Sequence, residues 1–101
     1  MTGCTRSGAF LHAIRLLIPE SEIRVIYERP WHSLTFAGTQ LCLSARFQGS
    51  QMMCKGEEFC ANLTDFEFDL PGQLVADIAV TQAVVANGAY CLMIDALLLD
   101  D

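Results

Sequence analysis

The first apolar positions of the chain recur at helical spacing. Within residues 7–18 they fall three or four positions apart, as expected for one buried helix face: Ala9, Phe10, Ala13, Ile14, Leu17 and Ile18. Ser7 is a residue type that commonly caps a helix N-terminus, and Pro19 disfavours helical backbone at the residue before it. The pattern therefore predicts an amphipathic helix over residues 7–18.

Beyond Pro19 the apolar positions recur every second residue, which is typical of strands with one buried face. This alternation predicts about six strands, at residues 22–28, 32–36, 41–47, 64–70, 74–84 and 89–99. Turns are predicted at Ala37-Gly38, Pro71-Gly72 and Asn87-Gly88. Residues 49–63 have no clear period and contain two glycines, so they are predicted to be a loop, with one helical turn over 57–61 as the alternative.

A helix followed by several strands predicts an α+β fold. We expect residues 1–101 to form a single domain. In it, the N-terminal helix packs on a strongly twisted, mostly antiparallel sheet of about six strands, arranged as a half-barrel.

The register of the last hairpin determines which of its residues face the core. A three-residue loop, 86–88, pairs Val80 with Ile94 and Ile78 with Ala96. A two-residue Asn87-Gly88 loop would instead place Asp95 opposite Val80 on the core face, so the longer loop is preferred. The predicted inner face then holds Leu74, Ala76, Ile78, Val80, Val84, Tyr90, Leu92, Ile94, Ala96 and Leu98.

The other face of this hairpin is unusually apolar for a surface that contacts water. Hydrophobic residues make up 52% of the chain and charged residues only 18%, so apolar side chains must partly face outward. Large exposed apolar patches on soluble proteins commonly mark interfaces. The sequence therefore predicts a homo-oligomer, with a homodimer as the first choice, through an interface formed by Val75, Ala79, Met93, Leu97 and Leu99.

Charge is divided unevenly along the chain. Residues 1–55 carry all six basic side chains and three acidic ones, whereas residues 56–101 carry nine acidic side chains and no basic one. The net charge of −6 argues against nonspecific binding to nucleic acid or to an anionic membrane. No apolar run reaches the ~18 residues that a membrane span needs, and no signal-peptide cleavage pattern is present. We therefore expect a cytoplasmic protein.

An acidic row alternates with two phenylalanines in the predicted strand at 64–70. The simplest interpretation is a strand with a solvated face, and a basic protein partner is the alternative. Internal pairing with arginines of the early strands would join the two halves of the chain. The acidic residues are Asp65, Glu67 and Asp69, and the expected partners are Arg24, Arg29 and Arg46.

Trp31 and His32 are the nearest approach to a small-molecule site. Histidine is the usual general base near neutral pH, and tryptophan can stack on a planar ligand. His32 is therefore the candidate catalytic residue, and Trp31 and His32 are the candidate ligand-binding pair. The alternative is that Trp31 is an ordinary aromatic residue at the edge of a strand and that His32 beside it has no functional role.

The cysteines do not follow a metal-binding pattern. There are five, at positions 4, 42, 54, 60 and 91, and no two have the Cys-x-x-Cys spacing. In a cytoplasmic chain they are expected to be free thiols. We expect no metal and no cofactor.

Residues 29–38, 70–78 and 94–101 resemble the corresponding parts of small bacterial α+β proteins of no known activity. The resemblance implies a fold and no function. Three function classes remain open: a small assembling or interaction protein, a binder of a small apolar ligand in a cavity between helix and sheet, and an acyl-processing type of enzyme that uses His32.

Overall fold

A computed structural model describes residues 7–63 and 65–100 of the chain. It contains two helices and four strands in the order α1 (Gly8–Leu17), β1 (Glu22–His32), β2 (Ala37–Gln48), α2 (Met52–Leu63), β3 (Gln73–Ala86) and β4 (Ala89–Asp100). The predicted α+β class is confirmed, but the described sheet has four strands where the sequence predicts about six.

The four strands form one open antiparallel sheet with the order β1-β2-β4-β3. The two central strands, β2 and β4, send alternate side chains into a core that also takes residues from both helices. We call this helix-covered side the inner face and the opposite side the outer face. The fully buried members of the inner face are Leu41, Leu43, Ala45, Leu92, Ile94 and Leu98.

Helix α1 contributes Phe10, Leu11 and Ile14 to the core, and all three are buried. Ser7 occupies the N-cap position but makes no side-chain cap bond. Its backbone N–H and its hydroxyl both donate to the carboxylate of Glu28 on β1. The predicted capping role of Ser7 is therefore wrong, and the residue instead ties the start of α1 to an edge strand.

Two predicted strands are not strands in the structure. β1 extends through His32, so residues 33–36 form the hairpin connection to β2, closed by a 2.8 Å bond from the Ser33 N–H to the Phe36 carbonyl. Residues 66–69 belong to no regular element, and Leu70 forms only an isolated bridge with Gln73. Alternation indicates one apolar side, but a strand also needs a hydrogen-bonded neighbour, which these segments lack.

The predicted loop at 49–63 is wrong because most of it forms helix α2. Its buried residues Gly56, Phe59 and Leu63 recur at helical spacing. Glycine disfavours a helix interior, but Gly56 lies on the buried side of α2 against the ring of Tyr90. A Cβ atom at this position would lie 2.2 Å from Cδ2 of Tyr90.

Gly56→Ala therefore tests two opposing effects. Alanine favours the helix by about 1 kcal/mol, while the collision with Tyr90 costs about 1–3 kcal/mol. We expect a net loss of about 1 kcal/mol in the free energy of unfolding, measured by urea denaturation. In a Tyr90→Leu background, where the ring is absent, the same change should become neutral or stabilising. Destabilisation of equal size in both backgrounds would show that Tyr90 is not the obstacle.

The last hairpin turns through two residues rather than the predicted three. Ala86 pairs with Ala89, and both Asn87 (φ 52°) and Gly88 (φ 75°) have positive φ, as in a type I′ turn. The predicted pairs Val80–Ile94 and Ile78–Ala96 are nevertheless confirmed. The extra residue lies in a β-bulge between Val80 and Gln82, so the register changes inside β3 instead of at its turn.

A second bulge, between Val75 and Asp77, changes which residues face inward at the start of β3. Val75 pairs with Leu98 and packs against the core, whereas Leu74 pairs with Leu99. At the other end of the strand, Val84 pairs with Cys91. Leu74 and Val84 were predicted on the inner face and Val75 on the outer face, so all three placements are wrong.

Candidate functional site on the outer face of the sheet

The outer face consists of cross-strand rows, because residues directly opposite one another in a ladder point to the same side. The strand pairings define five rows across the sheet. From β1 through β2 and β4 to β3, they are Glu22, Arg46, Cys91, Val84; Arg24, Ser44, Met93, Gln82; Tyr27, Cys42, Asp95, Ala79; Arg29, Gln40, Leu97, Asp77; and Trp31, Gly38, Leu99, Leu74. Neither helix covers these rows.

The half of the outer face formed by β4 and β3 is apolar and acidic. Leu74 is 56% exposed and Val84 is 41% exposed, while Met93, Leu97 and Leu99 are partly exposed. The only charged side chains of the five rows in this half are those of Asp77 and Asp95. This half therefore combines apolar surface with negative charge.

The half formed by β1 and β2 is basic and aromatic. The Arg29 guanidinium carbon lies 4.7 Å from the centre of the Tyr27 ring, and the Arg29 Nε donates to Gln40 Oε1 over 3.2 Å. An Arg46 nitrogen lies 3.9 Å from Glu22 Oε1. These contacts hold the arginines against the sheet. Together with Arg24 they give this half three cations against one carboxylate.

Cys42 and Asp95 lie side by side at the centre of the face. Burial and then the hydrogen bond to the Asp95 carboxylate and its negative charge raise the pKa of the Cys42 thiol. The thiol therefore stays protonated near neutral pH and donates to the carboxylate. This pair is a structural contact rather than a reactive thiolate.

Trp31 and His32 lie at the end of β1, opposite Gly38 and Ala37 of β2. Trp31 belongs to the last outer row and is half-buried, and His32 is exposed. Among the described residues, no carboxylate forms a hydrogen bond or ion pair with His32. The residue therefore lacks, in this part of the chain, the oriented partner that base catalysis requires.

The structure brings together four of the five residues predicted at the interface. Ala79, Met93, Leu97 and Leu99 share the outer face, whereas Val75 lies on the inner face. Sequence reasoning missed Leu74, Val84 and the basic half of the same surface. The two bulges in β3 explain the first two residues, since each bulge moves the residues beyond it to the other face.

The acidic row at Asp65, Glu67 and Asp69 is exposed. Within the described residues, none of these carboxylates pairs with an arginine or lysine; the ion pairs found there join Arg46 to Glu22 and Lys55 to Glu20. The predicted pairing of the row with Arg24, Arg29 and Arg46 is therefore not found among the described residues of one chain, and pairing across a dimer stays a prediction. The two phenylalanines also differ, because Phe68 packs against the core and Phe66 is 42% exposed.

Within the described residues, the structure also bears on metal sites, on disulfides and on helices that could cross a membrane. In this part of the chain no three His, Cys, Asp or Glu side chains lie close enough to hold a metal ion. Cys42, Cys54, Cys60 and Cys91 are free thiols, and Cys4 lies outside the described residues. None of the helices in the described ranges has both the length and the apolar character needed to cross a membrane.

Comparisons with known proteins gave no match: neither a family model, nor a curated protein, nor a solved structure is detectably similar to this chain.

Proposed function

We propose that this chain is a cytoplasmic homodimer-forming protein whose two copies pack outer face against outer face. The observation that carries the proposal is the charge division of that face. A basic half formed by β1 and β2 lies beside an apolar, acidic half formed by β4 and β3. A surface with this division is complementary to a second copy of itself.

The size of the outer face suits a dimer. Four strands spaced ~4.8 Å apart and five rows spaced ~6.8 Å apart give roughly 650 Å² per copy, or roughly 1,300 Å² in total. Specific interfaces start at about 1,200 Å², so the face is large enough when most of it is covered. The expected affinity is micromolar rather than nanomolar, because this area lies at the lower end of the range.

The charges also select the orientation of the symmetry axis. A two-fold axis perpendicular to the strands places β1 over β1 of the second copy and reverses the order of the rows. Arg29 then opposes Arg24, which is a repulsive arrangement.

An axis parallel to the strands places β1 over β3 of the second copy and keeps the rows in register. Arg29 then opposes Asp77, which is an attractive arrangement, and under either axis the strands of the two sheets stay nearly aligned, as in β-sandwiches.

The dimer with its axis parallel to the strands also buries apolar groups. It places Trp31 over the exposed Leu74 of the second copy and Tyr27 over Ala79. Buried aromatic residues commonly supply much of the binding energy of an interface. Trp31, the candidate ligand-binding residue, is on this proposal an interface residue.

Charge exchange between Arg29 and Asp77 tests both the dimer and its axis. Within one copy these residues are three strands apart, or about 14 Å, so they cannot form an ion pair. In the proposed dimer each single change, Arg29→Asp or Asp77→Arg, creates two like-charge contacts and should raise the dissociation constant at least ~10-fold. The double variant restores both pairs and should dimerise nearly as well as the parent. Sedimentation velocity over a dilution series measures these constants.

Arg15→Asp is the matched control, because Arg15 is exposed on α1, away from the outer face. It makes the same charge change and should leave the dissociation constant unchanged. A parent protein that remains monomeric at several hundred micromolar would contradict the dimer. Two weakened single variants with no recovery in the double variant would contradict the parallel axis.

A further inference from the structure

We propose that a hollow between the ends of α1 and α2 binds a small primary amine that carries one apolar ring or a short alkyl chain. The hollow lies on the helix side of the sheet, so its occupation is compatible with packing through the outer face. Its volume is about 190 Å³. Sites for drug-sized ligands start at ~300 Å³, so this one suits a molecule with a single ring.

The floor of the hollow is apolar and fixed. It is formed by Ile18, Phe59 and Leu63, which are at most 7% exposed and belong to the core. Phe66 stands at the lip and is 42% exposed. Its ring lies 4.8 Å from that of Phe68 in an edge-on arrangement, which holds it in place. An apolar ligand group that enters the hollow therefore meets an existing surface.

The rim of the hollow is negative. Lys55 Nζ lies 3.6 Å from Glu20 Oε1, so these two charges offset each other. Glu58 also lines the rim, and it has no basic partner among the described residues. A carboxylate ligand would meet a Lys55 charge that Glu20 already offsets and would be repelled by Glu58, whereas an ammonium group can bind Glu58 directly.

The C-terminal ends of both helices lie beside the hollow. Leu17 and Ile18 end α1, and Asn62 and Leu63 end α2, and all four line the site. A helix C-terminus carries a partial negative charge, although the Asn62 and Leu63 carbonyl groups already accept bonds from the Asp65 and Phe66 N–H groups. The last turn of α2 contains no basic side chain that would offset this charge, whereas the last turn of α1 contains Arg15. Glu58 and, to a smaller extent, the end of α2 therefore favour a cation, and the Phe59 and Phe66 rings favour an apolar body or a cation–π contact.

The probe that fits these features is 2-phenylethylamine. Two matched probes, 3-phenylpropionate and 2-phenylethanol, have a similar apolar part with a negative or a neutral end. Titration of the full chain followed by ¹H–¹⁵N NMR should show millimolar binding of the amine, with shifts at Ile18, Phe59 and Leu63. The amine should bind at least ~10-fold more tightly than either matched probe, because only its ammonium group forms a hydrogen bond with Glu58 in which both partners are charged.

Glu58→Gln should weaken amine binding ~5–10-fold and leave 2-phenylethanol unaffected. Glu57→Gln is the matched control, since it makes the same change at the preceding exposed position, which does not line the hollow. The proposal is overturned if 3-phenylpropionate binds as tightly as the amine, if the two glutamate variants behave alike, or if none of the probes shifts the floor residues at tens of millimolar.

Discussion

Phe10→Ala is expected to lower the free energy of unfolding by about 3–5 kcal/mol. The Phe10 ring is fully buried, and its centre lies 5.1 Å from that of Phe68. Phe10 therefore connects α1 both to the sheet core and to the irregular segment before β3. Removal of the ring leaves a cavity beneath a ten-residue helix, which is too short to be stable without its packing.

Phe36→Ala is the control for this prediction. It removes the same ring from the β1–β2 connection, where Phe36 is 55% exposed, and should cost less than about 1 kcal/mol. Urea unfolding followed by circular dichroism measures both variants. The protein concentration must be held constant, since a dimer is more stable at higher concentration. Similar losses for the two variants would mean that α1 is not anchored through Phe10.

The hydrophobic pattern predicts those elements in which local periodicity and tertiary packing agree. Helix α1 is predicted over residues 7–18 and found at Gly8–Leu17, and Phe10, Ile14 and Ile18 of the predicted stripe are buried, whereas Ala9 and Leu17 are exposed. The last two strands are also predicted, and Asn87-Gly88 lies at their turn. In each case the sequence contains both the period and its boundary signals.

The other parts of the fold depend on tertiary contacts that the hydrophobic period does not describe. Gly56 is a poor helix residue, yet it lies inside α2 because a side chain there would collide with Tyr90. The alternation at residues 66–69 indicates a strand, yet the segment has no pairing neighbour. The bulges in β3 leave no signal of their own in the sequence, and they decide which face holds Val75 and which holds Leu74.

For a related reason, the sequence predicts only the apolar half of the outer face. Met93, Leu97 and Leu99 alternate along one strand, so their common face can be predicted from spacing alone. The basic half comes from β1 and β2, and its position beside β4 follows from the strand order. That order requires β2 to pair with β4 although α2 and β3 lie between them in the chain. A single sequence does not show that long-range pairing.

Gly38→Ala is expected to cost about 3 kcal/mol, more than Gly56→Ala or Gly72→Ala. Gly38 lies in β2 between Trp31 and Leu99, at one end of the outer face. A Cβ atom there would be 2.0 Å from the Leu98 carbonyl oxygen and 3.0 Å from the Leu99 Cα. These are backbone atoms of β4. Unlike the Tyr90 ring near Gly56, they cannot turn aside without separation of the two central strands.

Gly72→Ala separates this collision from ordinary backbone strain. Gly72 has a φ of 73° and no atom within 4 Å of the added Cβ, so its substitution should cost only the ~1–2 kcal/mol of a left-handed backbone. Hydrogen exchange gives a second measurement. Gly38→Ala should accelerate exchange of the amides that join β2 to β4 near Leu98, whereas Gly72→Ala should leave them protected. Equal losses of stability and unchanged protection at β4 would show that the sheet accommodates a side chain at position 38. In that case the close approach of β2 and β4 at this end would not be a requirement of the fold.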